Sequence, residues 1–297
     1  MISDIQFDID ETEAETAIYE FANFNMRANA IDFIEFHIID RIESLMQQAG
    51  MNNELFKLKT RAKTIKEKLE NIDTEMFRRL EQQMKISKDK GFVFRKMIND
   101  FFSSSFVDAD HSDAIGYDNL DIFINRLLSA NTIPEPKRRP EPEMVFYQKT
   151  PARIIFELSK KINRDDIFFD IGCGVGQVVI LVNLISSAKA IGIEFEPAYC
   201  KYANEVASRF DLVNIQFIND NAKNIDYSKG SVFFLYTPFY GTMLREVLSS
   251  LQQHSFDKTI RIFTYGPCSI DIAEQTWLEC INGKADNIYK LYEFKSL

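Results

Sequence analysis

The sequence predicts a chain in two parts: an all-helical N-terminal domain, then a doubly wound α/β domain built on a mostly parallel, seven-stranded sheet. Three observations predict it. Apolar residues recur at helical spacing up to about residue 130, four prolines (Pro134, Pro136, Pro140 and Pro142) interrupt that pattern, and short β-type runs then alternate with helical ones. A length of 297 residues leaves room for two ordinary domains, each with its own core. The expected boundaries are 1–132 for the helical domain, 133–150 for a proline-rich linker with a closing loop, and 151–297 for the α/β domain.

In the first part, "TEAE" at Thr12 to Glu15 reads as a capping box, and Ile31, Ile34, Ile38, Ile42 and Leu45 then follow helical spacing up to Gly50. Leu55, Leu58, Ala62, Ile65, Leu69, Ile72 and Met76 alternate spacings of three and four, a seam of about three heptads. Such a short seam predicts a helical hairpin core in preference to a dimerising coiled coil. The same helix and its extension carry Lys57, Lys59, Arg61, Lys63, Lys66, Lys68, Arg78, Arg79, Lys85, Lys88 and Lys90. This basic strip is expected to be a solvated face, with contact to an acidic or nucleic-acid partner as the functional alternative. "FVFRKMINDFF" and "LDIFINRLLSA" predict two shorter helices. Between them, "DADHSD" lacks an EF-hand's ligand spacing and central glycine, so it reads as an acidic loop.

Beyond the linker, strands are expected at Ile167–Ile171, Ala190–Glu194, Asn214–Ile218, Val232–Tyr236 and Ile260–Tyr265. "QTWLECI" and "IYKLYEF", separated only by "NGKADN", suit an antiparallel hairpin. Ile171 to Ala188 carries no charge over nearly the length of a membrane span. Its glycines, Gln177, Asn183 and paired serines predict strand, turn and buried helix instead. Cys173, Cys200, Cys268 and Cys280 form no CxxC pair, and the chain opens on "MISDIQFDIDETEAE" instead of a basic leader, so a reduced, cytoplasmic protein is expected. His37, His111 and His254 have no partners at metal-ligand spacing, and no metal is expected. A net charge of −9 argues against a dedicated nucleic-acid binder.

The chemistry concentrates in "IFFDIGCGVGQVVIL". At the carboxyl end of a first strand, Gly172, Gly174 and Gly176 let the backbone turn sharply and approach a ligand, while the following helix presents free N–H groups. A nucleotide-like cofactor is expected there. Asp170, at the junction, would repel a pyrophosphate and attract an ammonium, which favours S-adenosyl-L-methionine over a nicotinamide dinucleotide. Glu194, closing the second strand, is placed to accept both ribose hydroxyls. Asp220, after the third, is placed to take the adenine amino group, with Asn219 beside it as a further cofactor-binding candidate.

These residues carry a resemblance. "DIGCGVGQVVILVNL" with "GIEFEPAYCKYA" resembles the class I S-adenosylmethionine-dependent methyltransferases, and within them the Dot1-type histone-lysine methyltransferases, "GVGQVV" being the specific part. The likeness covers roughly Met144 to Tyr265 and includes "EMVFYQKTP", similar to that family's loop ahead of the fold. It implies a class I methyltransferase fold, with Tyr147 and Thr150 covering the methionine end of the cofactor and Gln177 joining the glycine turn in holding it. In "FFLYTPFYGTML", Phe234, Tyr240 and Gly241 fit the family's asparagine-containing motif, while Tyr236 and Thr237 stand where asparagines would. "TPFY" is also similar to the (D/N)PP(Y/F) loop of amino-methylating nucleic-acid enzymes, without its leading Asp or Asn.

Methyl transfer from a sulfonium is an in-line displacement, so the protein's tasks are alignment, exclusion of water and placement of lone pairs. Thr237, Phe239, Tyr240 and Tyr265 are the catalytic candidates, Thr237 counting also toward the cofactor. With Tyr147, the three aromatics would wall an enclosure that favours a neutral amine by desolvation and holds its cation by ring faces. Cys268 in "GPCS" has no adjoining cation and reads as an ordinary buried cysteine, not a thiolate nucleophile. The resemblance makes protein lysine the leading acceptor. The alternatives are a nucleic-acid or small-molecule acceptor, contacted through the strip from Lys57 to Lys90 and through Lys137, Arg138 and Arg139, or a non-catalytic interaction module that keeps the fold. No membrane association is expected, and the oligomeric state is left open.

Overall fold

The computed structural model describes residues 2–49, 52–102, 116–129 and 132–297; the "DADHSD" segment and His111 lie outside them. The chain divides into two compact units, Met1–Gln83 with Lys96–Ser104, and Met84–Arg95 with Ser105–Leu297.

The first unit begins with α1 (Ile2–Ala14) and a 3₁₀ turn (Thr16–Tyr19). Next come α2 (Phe24–Asp32), a π-helical stretch (Phe33–Ile39) and α3 (Asp40–Ala49), in line with one another, and then α4, which runs from Asn53 to Ile86. The expected seam forms the core: Leu55, Leu58, Ala62, Ile65 and Leu69 are buried in one cluster with Ile5, Ile9, Ile34, Ile38 and Ile42. Each such side chain withdrawn from water contributes about 1.5–3 kcal/mol, and here the partners come from the same chain. Three expectations change. No helix starts at Thr12, because α1 runs through it and Thr12 donates to the Asp8 carbonyl at 2.7 Å; Glu15 caps the following 3₁₀ turn instead, accepting from Ala17 N–H. Ile72 is half-buried, and its neighbour Asp73 turns inward to meet Arg27. Part of the basic strip is neutralised: Lys59 pairs with Glu43, Arg61 with Asp10 and Glu13, Lys66 with Glu35 and Glu70, and Arg78 and Arg79 with Glu75.

α5 (Lys90–Phe101) is the first of the two expected shorter helices. The second, α6 (Asn119–Leu128), was expected in the helical domain but belongs to the second unit. Asp121 of α6 accepts the Ala152 N–H at 2.7 Å, and the Arg209 guanidinium donates to the carbonyls of Leu127, Leu128 and Ser129. Long-range bonds, not the proline-rich sequence, decide where this helix docks.

The second unit continues with α7 (Ala152–Lys160), β1 (Ile167–Ile171), α8 (Gln177–Ser186), β2 (Lys189–Glu194), α9 (Pro197–Arg209), β3 (Ile215–Asn219), β4 (Val232–Leu235), α10 (Gly241–Ser255), β5 (Arg261–Thr264), α11 (Cys268–Ala273), β6 (Leu278–Cys280) and β7 (Tyr292–Ser296). Its seven strands lie in the order β3-β2-β1-β4-β5-β7-β6, and β7 is antiparallel to both of its neighbours. β1 and β4 are almost wholly buried and apolar, as a parallel sheet covered on both faces requires. Parallel register aligns Asp170 of β1 with Gly192 of β2 and Phe234 of β4, which brings the strand ends carrying the acids together. The uncharged stretch from Ile171 becomes strand end, glycine turn and α8; among the described residues no helix is long and apolar enough to cross a membrane.

Candidate functional site

The turn after β1 is built for close approach. Gly172 N–H and Cys173 N–H both donate to the Ile193 carbonyl at 2.9 Å, tying the turn to the end of β2. Gly172 and Gly174 have φ of +84° and +54°, a region that favours glycine. A Cβ at Gly172 would overlap Pro238, and one at Gly174 would overlap the Tyr147 ring. The absent side chains are therefore filled by the two loops that wall the site.

Those loops are fastened to each other. Met144 and Phe239 form an antiparallel bridge, Val145 N–H donates to the Pro238 carbonyl, and Tyr240 N–H donates to the Glu143 carbonyl, the two bonds each at 3.0 Å. The Glu143 carboxylate accepts the N–H groups of Thr242 and Met243, which open α10, and these bonds hold its carboxyl below the usual range. Farther up the linker, Arg138 N–H donates to Glu196, and its guanidinium stands 5.2 Å over the Phe195 ring.

Between the loops and the sheet edge lies a cleft, part of it open to solvent. Of the residues expected from sequence, the cleft brings together Tyr147, Gly172, Gly174, Glu194, Asp220, Thr237 and Phe239. A smaller adjoining pocket shares Tyr147 and Gly172 and adds Thr150, Asp170 and Gln177. Four candidates line neither. Gly176 caps α8 through its backbone, and Asn219 spends its amide on the carbonyls of Glu194 and Phe195. Tyr240 is 54% exposed, its backbone held by the bridge, and Tyr265 is buried behind Tyr236, with ring centroids 4.9 Å apart. Sequence reasoning missed Arg138, Phe195, Tyr199 and Tyr236 as walls. Phe195 and Tyr199 follow Glu194 closely and were within reach of a local reading; Arg138 and Tyr236 arrive by tertiary contact.

The electrostatics differ along the cleft. Asp170 is 3% exposed and accepts no hydrogen bond from any described residue. Burial pushes its carboxyl well above the ordinary range, and the nearby negative Glu194 adds to the shift. Glu194 is raised by its own burial, although it accepts Gly174 N–H and Glu196 N–H at 2.7 Å each. With the Phe195 N–H also directed at it, its oxygens keep lone-pair capacity for a ligand. Asp220, at the open end, is lowered by the Asn224 amide and the Asn221 N–H, both on Oδ1, which leaves Oδ2 available.

This donor set fits S-adenosylmethionine. A buried carboxyl without a hydrogen-bond partner at the glycine turn, whose ionisation burial opposes, is favoured as an anion by a cation, which the amino-acid end of that molecule supplies. A half-saturated acid at the end of β2 suits a diol, and an ionised acid at the end of β3 suits an exocyclic amine. No described side chain at the glycine turn offers the positive charge that a pyrophosphate needs.

Thr237 closes the far wall in a left-handed conformation, φ +38°, rare for a β-branched residue. Cys268 holds it there: Thr237 N–H donates to Cys268 Sγ at 3.3 Å, and Cys268 N–H donates to Thr237 Oγ1 at 3.2 Å. Burial pushes the Cys268 thiol up, so its role is that of a buttress.

Comparison with known proteins agrees on the class. The family described as "Histone methylation protein DOT1" matches residues 145–237, from the closing loop to Thr237. A ribosomal protein L11 methyltransferase of Clostridium botulinum is 26% identical over 95 residues, 31% of this chain and 30% of its own length. The corresponding enzyme of Alkaliphilus oremlandii is 33% identical over 78 residues, 25% of each chain. The chain thus spans less than a third of the length of these curated relatives. Among solved structures, an RNA methyltransferase from Salinibacter ruber in complex with S-adenosyl-L-homocysteine covers 50% of this chain and 92% of its own, at TM-score 0.39 and 17% identity. A precorrin-6y C5,15-methyltransferase from Geobacter metallireducens covers 52% and 94%, at TM-score 0.38 and 14% identity. The sheet order and the helices on both faces are those of the class I methyltransferase fold.

Proposed function

We propose that the protein is an S-adenosylmethionine-dependent methyltransferase acting on an amine, with protein lysine as the leading acceptor. The observation that carries the cofactor assignment is Asp170, a buried acid without a partner among the described residues at the head of a glycine turn. Bound in the cleft, S-adenosylmethionine supplies a methyl group on a positively charged sulfur that departs as a neutral thioether.

The chain's own residues do the rest. Asp170 neutralises the ammonium, Gln177 and Thr150 face the same pocket, and Glu194 and Asp220 fix the nucleoside end. The closing loop, tied to the Pro238–Tyr240 segment, excludes water, which strengthens each of these contacts. Thr237 and Phe239 wall the cleft, and Tyr236 lines the smaller pocket. Such a wall disfavours a charged amine and so raises the share that carries a free lone pair. Protein lysine rests on the match to the DOT1 family and on the resemblance of the closing loop and glycine turn to that family.

Calorimetry with S-adenosylmethionine and S-adenosylhomocysteine tests the cofactor: heat is expected from both and none from NAD, and the reverse pattern sinks the reading. Incubation of the protein with labelled cofactor and a cell extract then finds the acceptor. Label in a protein band supports the lysine, label in nucleic acid or a small molecule replaces it, and no label in any fraction favours a non-catalytic module.

A further inference from the structure

Arg153, in the first turn of α7, is 6% exposed, yet its guanidinium is only half used. Nη1 donates to the Gly116 carbonyl. Nε and Nη2 are both sealed from solvent and meet no hydrogen-bond partner among the described residues. These two nitrogens form one edge of the planar fork, a pair of parallel N–H donors that matches two oxygens of a carboxylate or phosphate. Burying a charged donor without a partner is costly, and native interiors rarely tolerate it. Two orphans on a single edge point to one bidentate partner.

The described surroundings supply none. Asp121 faces Arg153 from α6, where its oxygens accept the Ala152 and Asp118 N–H groups, and it makes no hydrogen bond to the open edge. Tyr117 lies within electrostatic reach of the guanidinium and the Tyr265 hydroxyl within hydrogen-bonding reach of it, but neither is an anion at neutral pH, so neither supplies the two oxygens that the open edge matches. Tyr265 in turn packs on Tyr236, which lines the pocket holding Asp170. A chain of contacts thus joins the open edge of Arg153 to the methionine end of the cofactor cleft. Entry to the edge needs one side chain to move. Tyr117, 59% exposed and held by one hydroxyl bond to the Lys149 carbonyl, is the solvent-facing side chain beside it.

We infer that the Nε–Nη2 edge of Arg153 is an oxyanion site, and that the methyl acceptor carries a carboxylate or phosphate held there while its nucleophilic atom faces the cofactor. The assignment to the acceptor rests on the methyltransferase reading; the oxyanion site itself does not. The burial of the guanidinium raises the strength of the bidentate contact.

The test titrates acetate and inorganic phosphate into the full chain, with chloride at matched ionic strength as control. Thermal midpoint and tyrosine difference absorption are read with and without S-adenosylhomocysteine. A saturable response to acetate or phosphate, absent with chloride, is expected, and the preferred anion identifies the source. Arg153→Lys keeps the charge but not the fork, and should raise the half-saturating concentration by about tenfold or more. Calorimetry should show the same S-adenosylhomocysteine affinity for both proteins. A wild-type response that does not saturate, or an Arg153→Lys response equal to it, overturns the site and leaves water as the partner of those donors. If S-adenosylhomocysteine fails to bind the wild type, the methyltransferase reading falls, while the titration without it still decides the oxyanion site.

Discussion

Each unit of this protein buries an arginine, and the two are treated differently. Arg27 in the helical unit is fully enclosed, and every nitrogen is used: Nε donates to Asp73 at 2.5 Å, Nη1 to the Ile18 and Glu20 carbonyls, and Nη2 to the Phe21 carbonyl and Met76 Sδ. Arg153 in the α/β unit leaves one edge open, and Asp170, in the same unit, accepts no hydrogen bond from any described residue. Burial alone therefore does not separate a charge that holds the fold from one that waits for a ligand; saturation of its hydrogen bonds does. The helical unit spends its buried charge on its own backbone and on one buried acid. The α/β unit keeps unused bonding capacity near its cleft.

The comparison breaks most easily at Arg27. Arg27→Ala leaves Asp73 buried without its counter-ion and should cost about 3–5 kcal/mol of stability, measured by urea denaturation. Cofactor affinity of the folded fraction should stay unchanged in calorimetry. A loss under about 1 kcal/mol would show that the Arg27 network is no more structural than an exposed pair.

Asp170→Asn should do the opposite. Cofactor binding should weaken by about 1.5–3 kcal/mol, since a charge-assisted contact is lost, while stability is held or gained. The pH dependence has a definite sign. In the folded protein the Asp170 carboxyl is raised above its ordinary value of 3.8, so the folded state holds the proton more tightly than the unfolded one. The wild type's advantage is complete below that value and is lost as pH rises toward the folded pKa. The amide of the variant cannot titrate, so its stability relative to the wild type should climb over the same window. Equal slopes for the two proteins would mean that Asp170 has a partner after all.

A smaller effect is expected where the buttress is neutral. Cys268→Ala leaves Thr237 N–H unpaired and should cost about 1 kcal/mol. Because Thr237 walls the cleft in a strained conformation, the turnover number should fall while cofactor affinity holds, and Cys268→Ser should restore part of the turnover. Turnover unchanged in the alanine variant would remove Thr237 from the catalytic wall.

What was legible from sequence follows the same division. β1 was expected and found at Ile167–Ile171, and Asp170, the glycines and Glu194 act through neighbours a few residues away or through a parallel register that any such sheet imposes. Strand periodicity and turn chemistry are local, so they show in a string of letters. Cys268 reaches Thr237 across 31 residues, and Asp73 reaches Arg27 across 46. Neither pairing leaves a periodic trace, because one residue on each side suffices. The π-helical stretch Phe33–Ile39 was invisible for a related reason: its shift of one hydrogen bond per turn barely disturbs the apolar spacing of Ile34, Ile38 and Ile42. Tyr236 was read only as a departure from a motif; its place beside Tyr265 needed the parallel pairing of β4 with β5.

The least effect is expected from the basic strip of α4, and the reason is again saturation. Lys59 lies 2.7 Å from Glu43, Lys66 2.7 Å from Glu35, and Arg78 and Arg79 share Glu75 at 2.7 and 2.6 Å. Binding a phosphate with these cations first requires parting them from their acids, which removes much of the gain from counterion release. Exposed pairs of this kind contribute about 0–1 kcal/mol each. Replacing Lys59, Lys66 and Arg79 together by Gln should therefore change stability by no more than about 1 kcal/mol. Anisotropy with a short labelled duplex should show weak binding whose dependence on salt is shallow and unaltered by the triple variant. A slope of about −5, the mark of about five or six neutralised phosphates, would mean that the acids yield to a polyanion. The strip would then rank with Arg153 as a charge held in reserve, and not with Arg27.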